Sequence, residues 1–401
     1  MYQKIMTALD GSLWSNLAIQ ATLSLAEKTP ASQIIGCHVY AAELHRTRFE
    51  EMEPGLPEQY QAEEQLNDLR NTHESLISDG MALISDSYLA PLVKLAQKKN
   101  IPIQGLAPEG RNYVRLIEEI KNHQPDLVII GALGHGHVPE SRIGSLTERV
   151  LMADHNTDLL LLRQPFSFKG RPIVVGIDGS QASYAAFLVA IALAKTLEAN
   201  IEAVAVYDPF FHVGVFKVIA DALPEKDQQR FNFPAQEKLH DEIIDRGLEK
   251  LYREGLEKAA LLAEHQGVKI KMEVLAGKVF PQIHHYAQSR NAGMIVMGKY
   301  GLHYEPGSLI GSNTHQLAQL AETNLLIVQP PRKSIDIPVL SEEKSSVEIF
   351  WTPEAEERLK RIPGFARGMA RRSIEARARE LGKSTIDEDF VGSMSSHKGK
   401  G

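Results

Sequence analysis

The feature that most constrains this chain is a glycine pattern that occurs twice, 167 residues apart. In the first copy Gly131 and Gly134 are followed, after nine residues, by Gly144 and Ser145. The second copy has the same spacing and comprises Gly298, Gly301, Gly311 and Ser312. Each pattern follows an apolar run and precedes a segment with helical periodicity. A strand that ends at glycine and leads into a helix through Gly-Ser is typical of a sheet edge that holds phosphate.

The rest of the chain repeats with nearly the same offset. Segment 4–12 (KIMTALDGS) returns at 172–180 (PIVVGIDGS), and segment 33–40 returns at 200–207. Both halves alternate apolar strands with helical segments, which predicts right-handed βαβ units and a parallel sheet with helices on both faces. We therefore predict an α/β fold with two doubly wound, five-stranded parallel-sheet domains, over 1–166 and 170–330. Ligands of such sheets bind at the carboxyl ends of the strands, where the strand order reverses.

The composition changes after residue 330. We predict a linker over 331–347, a small helical domain over 348–392 and a flexible tail over 393–401. Thr352 followed by Pro353 predicts a helix start, Gly382 a helix end, and 385–388 a capping box. Glu375 is the one acidic residue among the many arginines of 358–379. This basic, amphipathic stretch either docks on a partner or is a solvated face.

The composition also excludes several classes of protein. The 401 residues suit two or three domains, and 43% hydrophobic with 24% charged residues are typical of a globular chain. A net charge of −7 argues against sequence-independent binding of nucleic acid. We find no signal peptide and no run of eighteen apolar residues, so the expected location is cytoplasmic, with no membrane contact. Cys37 is the single cysteine, which excludes an intramolecular disulfide, and its apolar surroundings predict a core residue.

The glycine pattern has a chemical interpretation. Glycine lets polyphosphate approach the backbone closely, because it adopts positive φ and exposes its N–H group. The serines at 145 and 312 stand at helix starts, where a hydroxyl and the helix dipole both favour phosphate, and the threonines two positions later supply a further hydroxyl. Neither the P-loop pattern nor Gly-x-Gly-x-x-Gly after the first strand is present, which excludes those two fingerprints.

An aspartate ends the first strand of each copy. A carboxylate at Asp10 or Asp178 could accept a hydrogen bond from an adenine amino group or a ribose hydroxyl. The alternative interpretation of Asp-Gly-Ser is a turn in which the aspartate caps the following helix. The presence of two copies, each with the glycine spacing, favours the ligand-binding interpretation.

The spacing Gly-2x-Gly-9x-Gly-Ser, with an apolar strand before it and an aspartate after strand one, closely resembles the universal stress protein family, ATP-binding type. The resemblance covers about 1–165 and 171–330. It implies an adenine nucleotide alpha hydrolase-like fold, bound ATP or another adenine nucleotide, and an intramolecular pseudo-dimer paired through the last strands. A Mg²⁺ ion and a homodimer are left open. The implied binding set is Asp10, Val39, Ile130, Gly131, Gly134, Gly144, Ser145 and Thr147 in copy one, and Asp178, Val206, Met297, Gly298, Gly301, Gly311, Ser312 and Thr314 in copy two.

Two loops depart from a plain glycine loop. His135 and His137 could ligate a metal, but no third ligand is evident nearby, so loop histidines that face phosphate or solvent are favoured and no metal site is predicted. In the second loop Lys299 either pairs with phosphate or faces solvent.

The C-terminal segment is similar to the small helical domain found in one of the two catalytic polypeptides of light-independent protochlorophyllide reductase, its B component. The similarity rests on Trp351, on Pro-x-Phe-x-Arg at 363–367 and on Ala-Arg-Glu-x-Gly at 378–382. That reductase is an iron–sulfur enzyme, and one cysteine cannot supply its cluster ligands. Reductase activity of this chain alone is therefore excluded.

These observations predict a tandem, ATP-binding universal stress protein. It would act as a nucleotide-dependent stress-response or signalling module and present its C-terminal domain to an unidentified protein partner. Two alternatives stay open: a slow ATPase, and an accessory to tetrapyrrole or nitrogenase-like reduction. No catalytic residue is predicted, because no general base is evident beside the phosphate loops unless His135 or His137 serves.

Overall fold

A computed structural model describes residues 1–30, 32–60, 62–208, 245–340, 349–361 and 383–395, with single residues near 218–222 and some within 367–381. The described residues fall into two units. The body contains the described residues up to 208 and the segment from 248 to 338. The second unit, called the C-terminal unit below, contains the described residues after 338 and those between 212 and 247. Among all the described residues, no helix combines the length and the apolar content needed to cross a membrane.

One ten-stranded sheet runs through the body. Its first half comprises β1 (Lys4–Ala8), β2 (Gln33–Cys37), β3 (Ile103–Leu106), β4 (Leu127–Gly131) and β5 (Asp158–Leu162). Its second half comprises β6 (Ile173–Gly176), β7 (Ile201–Tyr207), β8 (Ile270–Ala276), β9 (Met294–Gly298) and β10 (Asn324–Val328). The spatial order is β3-β2-β1-β4-β5-β10-β9-β6-β7-β8, so both halves have the same topology. All pairs within a half are parallel, which confirms the predicted fold class.

Helices cover both faces of the sheet. They are α1 (Leu13–Glu27), α2 (Ala42–Met52), α3 (Glu63–Lys98), α4 (Asn112–His123), α5 (Ser145–Leu151), α6 (Gln181–Leu197), α7 (Asp245–His265), α8 (Val279–Ser289) and α9 (Ser312–Leu320). One apolar cluster joins α1, α3, α6 and α7 to the sheet, and a second joins α4, α5, α8 and α9 to the opposite face. Strand β4 is apolar throughout because Leu127 faces the first cluster and Val128 the second.

Cys37 lies at the end of β2 and is 1% exposed. Burial raises the pKa of its thiol to about 12. A thiol that stays protonated at neutral pH is a poor nucleophile. This confirms the predicted role of Cys37 as a core residue.

The two halves are joined through their last strands. β5 and β10 pair antiparallel, with Leu160 opposite Leu326. The first residue of each strand also binds the chain that leaves the other strand. Asp158 Oδ1 accepts a hydrogen bond from the Gln329 amide (2.8 Å), and Asn324 Oδ1 accepts one from the Arg163 amide (2.9 Å). The pairing of the halves implied by the family resemblance is therefore present within one chain.

The beginning of the predicted linker is attached to the body. The Ile335 amide donates to Gln181 Oε1 (2.7 Å) on α6. Ile335 and Ile337 also pack against the first apolar cluster. Residues 341–347, the rest of the predicted linker, lie outside the described residues, as does residue 348.

The described part of the C-terminal unit pairs a short strand β11 (Phe350–Trp351) in parallel with β12 (Thr385–Ile386), next to helices α10 (Pro353–Lys360) and α11 (Glu388–Ser395). Thr352 caps α10 as predicted, since its hydroxyl accepts from the Ala355 amide (3.3 Å). The predicted capping box at 385–388 is wrong, because Thr385 belongs to β12 and Asp387 accepts from the Phe390 amide (2.8 Å) instead.

Helix α11 reaches Ser395, past the predicted start of the tail at 393. Gly382, most of the 363–367 motif and residues 396–401 lie outside the described residues.

Several basic residues of the C-terminal unit are paired within it. The Arg371 guanidinium donates to Glu356 (2.9 Å) and Glu375 (3.1 Å) and lies 4.6 Å from the centre of the Trp351 ring. Glu375 also accepts from the indole N–H of Trp351 (2.9 Å). The charge of Arg371 is thus neutralised by acids of its own unit, which favours the solvated-face interpretation at this position.

Asp158 makes the joint between the halves sensitive to pH. Its Oδ2 accepts from the Tyr2 hydroxyl (2.6 Å), and burial raises the pKa of the carboxyl group to about 6. Because the folded state binds this proton more tightly than the unfolded state, the stability associated with it is full below about pH 4. That stability is lost as the pH rises through about 6. The difference from the ordinary value of 3.8 amounts to at most about 3 kcal/mol.

We predict that Asp158→Asn flattens this dependence. Asparagine stays neutral and is the residue found at the equivalent position, Asn324, in the second half. Urea unfolding between pH 4 and 7.5 should show wild-type stability falling by up to about 3 kcal/mol relative to the variant. Asp79→Asn, at an exposed position of α3, is the control and should keep the wild-type slope. The same slope in Asp158→Asn would contradict the assignment.

Candidate functional site

All of the predicted site residues lie at the carboxyl ends of the strands of their own half. The order reverses between β1 and β4 in the first half, and between β6 and β9 in the second. Asp10 follows β1 and the first glycine loop follows β4, so these two segments are neighbours at the switch point. The same relation holds for Asp178 and the second loop. Each half therefore has one crevice where a sheet of this type binds ligands.

The Asp-Gly-Ser segment is a turn that starts a helix. Ser12 caps α1, because its hydroxyl accepts from the Ser15 amide (3.2 Å). Asp10 Oδ1 accepts from the Ser12 amide (3.0 Å) and thereby orders the turn. The second copy repeats this with Ser180 as the cap and Asp178 as the acceptor (2.9 Å). The alternative interpretation of Asp-Gly-Ser as a turn with an N-cap is thus present in both copies, with serine and not aspartate as the cap.

The other carboxylate oxygen of each aspartate holds the glycine loop. Asp10 Oδ2 accepts from the His135 amide (3.3 Å), and Asp178 Oδ2 accepts from the Leu302 amide (2.8 Å). A Cβ atom at Gly134 would lie 2.5 Å from Asp10 Oδ2, so this glycine is required for the close approach. We call this contact the aspartate–loop bond. Sequence reasoning missed it, although both partners end neighbouring strands.

The first and third glycines of the motif do not adopt a positive φ angle. Gly144 and Gly311 have φ of −69° and −67°. A Cβ atom at Gly131 would lie 2.6 Å from Trp14 Cβ, which would push α1 off the sheet. The expectation of positive φ is therefore wrong, while that of close approach is correct. Positive φ occurs instead at Gly11, with 75°, in the turn after β1.

The two motif threonines bind the backbone. The Thr147 hydroxyl donates to the Gly131 carbonyl (2.8 Å), and the Thr314 hydroxyl donates to the Gly298 carbonyl (2.9 Å). Both threonines are buried, whereas the serines at the helix starts, 145 and 312, are exposed. The predicted phosphate-donor role does not fit the threonine hydroxyls at this geometry. Each threonine instead fastens its helix to the end of the strand.

The second crevice contains a cavity of about 510 Å³. Its floor is apolar and includes Val206, Ile283 and Met297. Asp178 lies on its wall, and the segment from Gly298 to Thr314 contributes much of the rest. The volume is within the usual range for a site that encloses a small molecule.

The first crevice is surrounded by rings. His137 contacts Trp14 edge-on, with 4.6 Å between ring centres, and Tyr88 contacts His38 edge-on at 5.0 Å. Tyr88 is also 6.1 Å from the ring of His135. Burial lowers the pKa of His38, so its ring is neutral at pH 7. Val39 and Ile130 belong to the apolar packing below, like their counterparts in the second copy.

The two loop departures have different environments. His135 and His137 are exposed, in line with the expectation of histidines that face solvent. Lys299 is 3% exposed, so it does not face solvent; burial lowers the pKa of its amine, and the charge of Asp154 opposes that shift. The two loop histidines contact different rings, and the described residues contain no group of three side chains suited to hold a metal.

A larger cavity, of about 850 Å³, lies at the amino ends of β1, β4 and β5. Tyr2, Asp126 and Asp158 line it. The hydroxyl of Tyr2 and the carboxylate of Asp158 are paired with each other there, and the glycine loops of the first half lie at the opposite ends of the strands. The chemistry expected of the sequence motifs therefore belongs to the smaller cavity.

The family model of the universal stress proteins matches residues 1–153 and 170–329. The chain belongs to the universal stress protein family. A universal stress protein of Methanocaldococcus jannaschii is 31% identical over 163 residues, which are 41% of this chain and 84% of that protein. A universal stress protein of Mycobacterium tuberculosis is 24% identical over a stretch that covers 51% of this chain and 61% of that protein.

Two solved structures share the fold over most of this chain. The structure from Archaeoglobus fulgidus has a TM-score of 0.52 at 14% identity and covers 82% of this chain and 100% of its own. A functionally unknown protein from Pseudomonas aeruginosa has a TM-score of 0.53 at 13% identity, over 82% of this chain and 93% of its own. At such identities the likeness shows the fold alone.

A second family model, the proto-chlorophyllide reductase 57 kD subunit, matches residues 351–393. The B component of light-independent protochlorophyllide reductase from Halorhodospira halophila is 41% identical over 58 residues. These residues are 14% of this universal stress protein and 11% of the reductase polypeptide. The C-terminal segment thus resembles a small fragment of that polypeptide.

The bond between Thr314 and Gly298 generates a test of how the loop is fastened. Thr314→Val keeps the shape but leaves the buried Gly298 carbonyl without this donor. We expect a loss of about 1–2 kcal/mol in the free energy of unfolding. Thr314→Ser retains the hydroxyl and should lose clearly less. Equal stability of the valine variant and the wild type, measured by urea unfolding, would contradict the fastening role.

Proposed function

We propose that this chain binds an adenine nucleotide, with ATP as the leading ligand, and acts as a nucleotide-dependent stress-response or signalling module. The observation that carries the proposal is the second crevice, where an apolar floor, a carboxylate and a glycine-rich backbone surround one cavity. Two other universal stress proteins support it: one was solved in complex with cAMP, and one from Arabidopsis thaliana with AMP bound. Their TM-scores to this chain are 0.26 and 0.22, so the support rests on the shared family and not on superposition.

The residues of the second crevice suit the parts of a nucleotide. Val206 and Met297 offer an apolar surface to a base. The Asp178 carboxylate can accept from an amino group or a ribose hydroxyl. Backbone N–H groups of the first turn of α9, the exposed Ser312 and the positive end of α9 would favour phosphate. The absence of side chains at Gly298 and Gly301 lets the loop approach Ala182 and Asp178 closely, since a Cβ atom at either would lie under 3.0 Å from that neighbour.

A signalling role follows from the aspartate–loop bond. A ligand that donates a hydrogen bond to Asp178 would compete with the Leu302 amide for the same carboxylate. Occupied and empty states would then differ in the position of the loop, and a partner could distinguish them. We propose that the C-terminal unit contributes to this readout as a docking site for a partner.

The first experiment is to measure the nucleotide that the full-length protein carries after purification, by heat release and chromatography. We expect an adenine nucleotide in the wild type and none in the double variant Gly144→Val with Gly311→Val. A valine at either position would crowd the backbone that faces it, because even a Cβ atom at Gly311 would lie 3.3 Å from the Lys299 carbonyl. A wild-type protein that is empty and also fails to take up added ATP would refute the proposal.

A second candidate function is favoured by the C-terminal match to the reductase. We propose it as an alternative in which the chain is an accessory to protochlorophyllide-type reduction. Affinity capture of the purified reductase by the full-length chain, and by Trp351→Ala as the comparison, would test it. Trp351 is chosen because its indole bonds to Glu375 and its ring lies against Arg371. Capture that is equal for both proteins, or absent from both, would count against this alternative.

A further inference from the structure

The two crevices have different surroundings, and we infer that the second alone takes the nucleotide while a cluster of rings closes the first. The ring cluster consists of Trp14, His38, Tyr88, His135 and His137. This inference rests on the proposed function and assigns it to one of the two copies.

The internal repeat shows what stands at equivalent positions. Trp14 and Ala182 each lie two residues after the serine cap, and each faces the first motif glycine of its copy. His38 precedes Val39 at the end of β2, and Ala205 precedes Val206 in β7. In both of these pairs the first copy has a ring and the second copy has alanine.

The third pair lies on the long helices. Ile101 donates its amide to the Ala96 carbonyl (2.9 Å), and Val268 donates to the Ala263 carbonyl (2.9 Å), which aligns the ends of α3 and α7. In that register Tyr88 corresponds to Gly255. The first copy therefore has a ring at this position, and the second copy has a residue with no side chain.

Tyr88 lies directly against the turn after β1. A Cβ atom at Gly11 would collide with its ring, whereas a Cβ atom at the equivalent Gly179 would meet no atom of the described residues within 4 Å. His38 is fixed next to Tyr88 by a hydrogen bond between its Nδ1 and the Ser85 hydroxyl (2.8 Å). Among the described residues, one side of the turn is thus covered at Asp10 in the first copy and open at Asp178 in the second.

The glycine loops are anchored differently. In the first copy His137 contacts Trp14 of α1, and His135 faces Tyr88 of α3, so the loop is attached to helices beyond the Asp10 turn. In the second copy Tyr300 and Tyr304 pack on each other, 4.2 Å apart, and line the cavity. Tyr252, at the position of Ser85, also lines that cavity. The rings of the second copy therefore form walls around a space, and those of the first copy bridge the loop to the helices.

A nucleotide that entered the first crevice would have to separate these ring contacts and move the loop. Ring pairs of this geometry stabilise the fold beyond their buried area, so separating them opposes binding. The second crevice needs no such rearrangement, because its cavity is already present. Binding to a preformed site costs less than binding that must first break contacts.

The test is the stoichiometry of MgATP binding to the full-length chain by equilibrium dialysis. We expect about one nucleotide per chain in the wild type, and a loss of more than tenfold in affinity in the single variant Gly311→Val. A variant that still binds one nucleotide with wild-type affinity would place the site in the first copy and overturn the inference. A wild-type stoichiometry of two would overturn it as well. No binding by the wild type would instead refute the proposed function itself.

Removal of rings tests the cluster directly. In His38→Ala with Tyr88→Ala we expect the stoichiometry to rise from one toward two. Phe49→Ala is the matched control, since it removes a ring that stacks on His73 in the α2–α3 region, 4.3 Å away, and should leave the stoichiometry at one. A folded double variant that still binds one nucleotide would contradict the closing role of the cluster.

Photolabelling of the unaltered protein with 8-azido-ATP, followed by peptide mapping, keeps the inference testable if the double variant does not fold. We expect label in peptides that contain Tyr252, Tyr300 or Tyr304. Label in the first loop, 132–144, would overturn the inference.

Discussion

The pairing of β5 with β10 determines how the rest of the body is arranged. Each half is parallel within itself, and the two halves meet antiparallel, so the carboxyl ends of their strands point in opposite directions. The two crevices therefore lie at opposite ends of the strands. The joint also removes an exposed apolar edge from each half, since strands such as 159–162 are buried on both faces. Asp158 and Asn324 close the joint from both ends.

Much of this fold could be predicted from the sequence because the signals are local. Apolar runs of four or five residues between glycine or polar segments mark the strands, and the repeat shows that one topology occurs twice. The turn at Asp10 was also predictable, since Asp-Gly-Ser before an apolar helix is a helix start. The pairing of the two halves had another origin: it came from the resemblance to a family. Nothing in residues 158–162 themselves predicts which strand they pair with.

The parts of the site that could not be predicted depend on contacts between distant segments. The aspartate–loop bond joins residues 125 positions apart in copy one, and Thr147 reaches a carbonyl 16 positions before it. Sequence reasoning gave both the glycines and the threonines roles toward phosphate, whereas several of them are explained by packing within the fold. Lys299 shows the same limit: a lysine between two glycines was expected at a ligand or in water, but it is buried and the charge of Asp154 from the first half acts on its amine.

These contacts also change what the doubled motif implies. Gly131 is needed for the approach of α1, Gly134 for the aspartate–loop bond, and Thr147 for the attachment of α5. A copy that bound nothing would still need all three in order to fold. The presence of the motif in both copies therefore does not decide which copy binds. That choice depends on side chains outside the motif, such as Tyr88 in one copy and Gly255 in the other, because they determine whether the crevice beside the motif is filled or open.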